Sequence, residues 1–212
     1  MEKQIKKIVD IFSKFPTIGE RTATRFALYL LSLPKEEIDK ICQEIIDFKN
    51  EIKLCSFCFN PVSIKTSSIA TEEKEEQLCP ICQDKKRSKL LCVVEKETDL
   101  WQMEKMKKYN GRYFILGGKM DFLRENSLGK MRIEELKKRV KKAKPNEIIL
   151  AINPTSDGIL TMNYILKILK PLTCNDQSQT IKITRLGTGL PINGEIEYAD
   201  YETIEKALEG RA

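Results

Sequence analysis

Apolar residues recur at helical spacing over the first fifty positions, and beyond residue 90 they gather into short runs. Ile5, Ile8, Val9 and Phe12 fall at i, i+3, i+4 and i+7 and predict an amphipathic helix that stops near Ser13 or Lys14, before Pro16. After the tight loop Phe15-Pro16-Thr17-Ile18-Gly19, a second helix carries Ala23, Phe26, Ala27 and Leu30 on its buried face. Arg21 and Arg25 lie four residues apart on an exposed side of it. The series Ile38, Ile41, Cys42, Ile45 keeps the helical period and places Cys42 in a core. From Leu90 onward, apolar strands alternate with helical stretches. The strands are Leu91 to Glu95, Tyr113 to Leu116, Glu147 to Ile152 and Ile181 to Thr184; the helices are Leu100 to Met106, Ile133 to Val140 and Ile159 to Leu169. Such alternation predicts a mainly parallel sheet with helices on both faces. Cys92, in the run Leu90-Leu91-Cys92-Val93-Val94, belongs to that core.

Between the two regions stand two dicysteine knuckles, Cys55-Ser56-Phe57-Cys58 and Cys79-Pro80-Ile81-Cys82. Paired C-x2-C is a zinc-ribbon pattern, because a two-residue spacer lets both thiolates of a knuckle reach one tetrahedral ion and a second knuckle closes its shell. Cys55, Cys58, Cys79 and Cys82 are therefore the expected ligands of one structural Zn2+. The segment between the knuckles, 59–78, is at the long end of the usual spacing and holds the charged run Thr71-Glu72-Glu73-Lys74-Glu75-Glu76, read as a solvated loop tip. Four unrelated buried thiols are the plain alternative, and disulfides would require an oxidising compartment. Cys174, in a polar turn without a basic neighbour, lacks the setting of a reactive thiol.

The 212 residues, 41% hydrophobic and 32% charged, suffice for more than one core, and the cysteine segment marks a break. With no apolar signal region after Met1 and no apolar run long enough to span a bilayer, the chain reads as cytoplasmic. Net charge +6 and an isoelectric point near 8.8 permit a polyanionic partner. Basic clusters at Lys85, Lys86, Arg87 and Lys89, at Lys105, Lys107 and Lys108, and from Lys137 to Lys144 each read as a solvated face. The absence of histidine removes Ser-His and Cys-His nucleophiles, leaving carboxylates and metal for any chemistry.

Two places could carry function. The first two helices form a helix-hairpin-helix pattern, in which a short loop opens into a helix whose free N–H groups and positive dipole end suit a phosphate. Arg21 and Arg25 would flank that phosphate, reading backbone and no bases. Thr17 stands where the generic motif has Gly, and the pattern is equally that of an ordinary helical hairpin. The second place is the carboxyl edge of the sheet. Asn153 to Gly158 follow one strand there, Glu95 ends another, and the two loops could face each other.

The order of parts resembles the RecR family of bacterial recombination mediators over nearly the whole chain. The resemblance is carried by Phe15-Pro16-Thr17-Ile18-Gly19-Glu20-Arg21-Thr22-Ala23-Thr24-Arg25, the four cysteines, and Cys92-Val93-Val94-Glu95. It continues through 111–118, Ala151-Ile152-Asn153-Pro154-Thr155-Ser156-Asp157-Gly158, 184–191 and Glu197-Tyr198-Ala199-Asp200. It implies an α+β, α/β multidomain chain: a helix-hairpin-helix domain (1–53), a four-cysteine zinc finger (54–89), a Toprim α/β domain (90–185) and a C-terminal strand-helix tail (186–212). The function implied is a mediator in recombinational DNA repair, binding single- and double-stranded DNA without sequence preference through Arg21 and Arg25. It would work with RecO and RecF to help load RecA, as a homo-oligomer in the form of a tetrameric ring, in the cytoplasm and on the nucleoid. Glu95 and Asp157 would then belong to a partner-binding surface; otherwise they are turn and cap residues.

Toprim enzymes hold Mg2+ on a glutamate at one strand end and a D-x-D pair at another. Glu95 fits the first role, but Asn153 and Thr155 replace the pair, and Ile159 stands where catalytic relatives keep an acid. No G-x-x-x-x-G-K-[ST] loop offers ATP a seat. The expectation is a binding surface on an enzyme fold, not an enzyme. Its rivals are a metal-dependent Toprim nuclease or topoisomerase using Glu95 and Asp157, and a zinc-containing RNA-binding or scaffold protein.

Overall fold

The computed structural model describes residues 2–64, 77–119, 131–173 and 181–211. Cys174 and the charged run 71–76 lie outside the described residues. The chain divides into two compact units, Met1–Ile52 and Lys53–Ala212.

The first unit is helical: α1 (Lys3–Phe12), α2 (Glu20–Ser32) and α3 (Lys35–Glu51). Its small core is Val9, Ala23 and Ala27, with Ile5, Phe12 and Ile18 packed against them. The two alanines let α1 and α2 approach closely where larger side chains would hold them apart. Phe12 meets Phe15 and Phe26 at ring-centroid distances of 6.1 and 5.9 Å. Two expected core residues stay largely outside: Ile8 is 38% exposed and Phe26 43%. Cys42 is also exposed, which corrects its placement in a core, because α3 buries none of its residues. Periodicity identifies an apolar face but does not supply a neighbour to cover it.

The second unit begins at the cysteine segment. Strands β1 (Ile52–Leu54) and β2 (Pro61–Ser63) pair on either side of the first knuckle, and the short helix α4 (Pro80–Gln83) carries the second. The larger sheet contains β3 (Leu90–Val94), β4 (Arg112–Ile115), β5 (Glu147–Ala151) and β6 (Lys182–Arg185), in spatial order β4-β3-β5-β6. Every pairing is parallel, with Val94 level with Ile115 on one side and Ala151 on the other. The strands are joined through α5 (Glu97–Lys105), α6 (Ile133–Ala143) and α7 (Ser156–Thr173).

Alternation along β3 sorts its side chains between two cores. Leu91 and Val93 join Phe114, Ile148 and Leu150 under Leu136 and Val140 of α6 and Ile165 and Leu169 of α7. Cys92 and Val94 join Tyr113 and Ile115 under Leu100 of α5. Burial pushes the Cys92 thiol up to about 12, so it behaves as a small apolar side chain. The tail ends in α8 (Tyr201–Glu209), capped by Asp200, whose carboxylate accepts the Thr203 N–H at 2.8 Å. The strand expected in this tail is replaced by a 3₁₀ turn at Ile196–Tyr198; Pro191, Asn193 and Gly194 interrupt any pairing run before it. Among the described residues, no helix is long and apolar enough to cross a membrane.

Candidate functional site

Three groups of side chains carry the candidate chemistry. The first is the start of α2. Gly19 is its N-cap in extended conformation with no side-chain cap, so the first-turn N–H groups keep no intrahelical partner. Burial of Ala23 and Ala27 fixes the rotation of the helix and leaves Arg21 and Arg25 exposed. The preceding turn puts Thr17 at φ 65°, the left-handed region in which a β-branched residue is strained and the generic glycine is not. Thr17 Oγ1 donates to the Pro16 carbonyl at 2.6 Å within that turn.

The second group is the cysteine cluster. Cys55, Cys58, Cys79 and Cys82 are buried, and their sulfurs all lie within 4.8 Å of one another. Cys58 Sγ and Cys79 Sγ are 3.5 Å apart. Tetrahedral zinc with Zn–S near 2.3 Å separates its sulfurs by about 3.8 Å, so this donor set fits that ion. The knuckle is shaped by main-chain bonds, Cys55 N–H to the Asn60 carbonyl and Phe59 N–H to the Cys55 carbonyl, both 2.9 Å, and by Phe59 at φ 66°. The Cys79 N–H points at Cys55 Sγ, 3.3 Å away. Thiols this crowded share protons. Hydrogen bonding from Cys58, foremost, holds the Cys55 thiol far below its ordinary value, and the same bond pushes Cys58 up. A dication would ionise all four and release the remaining protons.

This cluster is fastened to the edge of the large sheet. The Cys58 carbonyl accepts the Ile115 N–H of β4 at 3.0 Å, Asn60 Oδ1 accepts from Trp101 Nε1 at 2.8 Å, and Phe59 stacks edge-on against Phe114. Arg139, read from the sequence as part of a solvated basic face, is half-buried, and its guanidinium donates to the Ser56 carbonyl at 2.6 Å. Arg87 is likewise committed: it donates to both carboxylate oxygens of Glu104, at 2.8 and 2.7 Å, and to the Gly111 carbonyl.

The third group lies at the carboxyl ends of β3 and β5. Glu95 is buried, and its Oε1 accepts the Asn153 N–H at 2.8 Å, so the two loops face each other. The Glu95 carbonyl accepts from the N–H groups of Gly117 and Gly118, whose positive φ angles turn the chain after β4. Lys119, unremarked in the sequence, follows that turn and places Nζ 3.1 Å from Asp157 Oδ2 and 3.4 Å from Thr155 Oγ1. Only glycine fits at 158, where a Cβ would collide with the Asn153 carbonyl. A depression of about 600 Å³ opens beside this loop, lined among others by Asn153, Ile159, Arg185 and Asp200. Among the described residues, the one group of three or more Cys, Asp or Glu side chains close enough to share an ion is the four cysteines. Glu95 and Asp157 are each engaged within the loop system.

Residues 5–48 match the family model described as "RecR, helix-hairpin-helix", 89–186 the Toprim domain, and 189–212 "RecR, C-terminal". Proteins named "Recombination protein RecR" from two strains of Clostridium perfringens, strain ATCC 13124 and strain 13, are each 38% identical to this chain. Each match spans 208 residues, which is 98% of this chain and 95% of that protein.

Proposed function

Because this chain belongs to the RecR family, we propose that it is a non-catalytic, DNA-binding recombination mediator in recombinational DNA repair. The observation that carries the reading is the start of α2, where an uncapped helix end is flanked by exposed Arg21 and Arg25 on a face fixed by Ala23 and Ala27. These groups hold phosphates of single- or double-stranded DNA without reading bases. One arginine pair is a weak site; several copies in a homo-oligomer, as a tetrameric ring, would add their binding through avidity. The exposed apolar residues of α2 and α3, Tyr29, Leu31, Ile45 and Phe48 among them, are consistent with such self-association.

In this reading the four cysteines hold one structural Zn2+, which supplies folding energy and no chemistry. The Toprim face serves as a partner surface for RecO and RecF, through which RecA is loaded onto single-stranded gaps, in the cytoplasm and at the nucleoid. Asp157 would meet the partner directly, and Glu95 would shape the face by holding Asn153. The absence of catalysis is supported by the donor set: Glu95 is committed to a main-chain N–H, Asp157 is paired with a lysine, and Ile159 adds no charge. Two-metal phosphoryl transfer needs more anionic oxygens than that.

The test is a salt titration of binding to labelled single-stranded and duplex DNA. Replacing Arg21 and Arg25 by Ala should lower the slope of log K against log salt by roughly 0.7 to 0.9 for every phosphate that the two arginines neutralise. An unchanged slope would remove these arginines from the interface.

A further inference from the structure

A zinc ion held by four thiolates is a doubly negative unit, and here its ligands are buried to between 0 and 6% exposure. Burying such charge is costly unless cations lie close by. Three guanidiniums converge on Phe57 of the first knuckle and on Phe59, which directly follows it. Arg112 and Arg139 stand over the Phe57 ring, 5.5 and 3.9 Å from its centroid, and Arg132 stands 4.5 Å over Phe59. All three distances are within reach of cation–π attraction. Arg139 also donates to the Ser56 carbonyl, and Arg132 donates to the carbonyl of Ile115, whose own N–H is given to Cys58. Among the described residues, neither Arg112 nor Arg132 forms a salt bridge with a carboxylate. Arginine suits the role because it stays charged and sheds water more readily than lysine.

We propose that Arg112, Arg132 and Arg139 are positioning residues of the metal centre, holding the knuckle against β4 through Phe57 and Phe59 and supplying the counter-charge that retains zinc. The inference rests on the reading of the cysteine cluster as a zinc site. It assigns to the sheet and α6 a part in metal affinity that the knuckles alone do not have. It also distinguishes charge from packing: if counter-charge matters, zinc loss depends on ionic strength, because salt screens the attraction.

The experiment uses the full chain purified with its metal. Zinc per chain is measured first, and its release to a chromogenic chelator is then followed at several salt concentrations for wild type, Arg132→Gln, and Arg132→Gln with Arg139→Gln. Release is expected to accelerate with salt in the wild type. In the double variant it should be about tenfold faster at low salt, the scale at which groups behind the ligands act, with a flatter salt dependence. Zinc that leaves the folded double variant at the wild-type rate would overturn the proposal. So would an Arg132→Gln variant that releases zinc at the wild-type rate and with the wild-type salt dependence, a result obtainable even if the double variant fails to fold. A wild-type chain purified without zinc would overturn the underlying reading of the cluster instead.

Discussion

The Glu95 carboxylate accepts the main-chain N–H of Asn153 at 2.8 Å, tying together the ends of two neighbouring parallel strands. In a metal-binding Toprim site a carboxylate at this position faces an ion; here one of its oxygens orders the adjacent loop. Replacing Glu95 by Ala removes the acceptor and should lower stability by about 1 kcal/mol. Glu95→Gln keeps an acceptor and should lose less. Urea unfolding of both variants checks this, and equal losses would mean the hydrogen bond contributes nothing.

Thr17 occupies the left-handed region at φ 65° in the turn before α2. That conformation costs a side-chain-bearing residue about 1–2 kcal/mol that glycine avoids, against a smaller entropic cost for glycine in the unfolded chain. Thr17→Gly should therefore stabilise the protein by about 1 kcal/mol in thermal or denaturant unfolding. A destabilised variant would show that the Thr17 hydroxyl bond to Pro16 outweighs the strain.

The sheet was legible in the sequence because its inner strands are short apolar runs bounded by turn residues, and each intervening helix keeps its own period. Strand ends then located Glu95 and the 153–158 loop, and cysteine spacing located the four-cysteine cluster. What remained hidden depends on packing between residues far apart in the chain. Cys42 and Phe26 lie on apolar faces whose exposure no periodicity reports. Arg139 is one basic residue among many in α6 until the fold brings Ser56 and Phe57 beneath it. Lys119 had a weak signal, standing directly after the Gly117-Gly118 turn that follows a strand.

The Arg87–Glu104 pair gives the protein an acid limit. The hydrogen bond from Arg87 holds the Glu104 carboxyl below the usual carboxylate range. A depressed value in the folded state means that the pair's stabilisation is complete above the unfolded value, about 4.3, and is lost as pH falls through the folded value. Arg87→Met should cost about 2 kcal/mol at neutral pH, and its deficit should shrink as pH drops below about 4. A deficit independent of pH in urea unfolding would contradict the pairing.

Thiol chemistry separates the cysteines. Cys42 is exposed, whereas the Cys92 thiol is buried and pushed up to about 12. Peptide mapping after brief maleimide treatment of the metal-loaded protein at neutral pH should find Cys42 modified and Cys92 intact. Cys79→Ser should lower zinc content and stability together; full zinc occupancy at wild-type stability would refute the four-thiolate site.

Whether this Toprim fold binds DNA without cutting it can be read from one gel. Supercoiled circular DNA is incubated with the protein at low salt, with and without Mg2+, and half of each sample is deproteinised before electrophoresis. Retarded DNA is expected to return to its supercoiled position once protein is removed. Nicked, linear or relaxed product that Glu95→Ala abolishes would contradict that expectation and make this carboxylate catalytic.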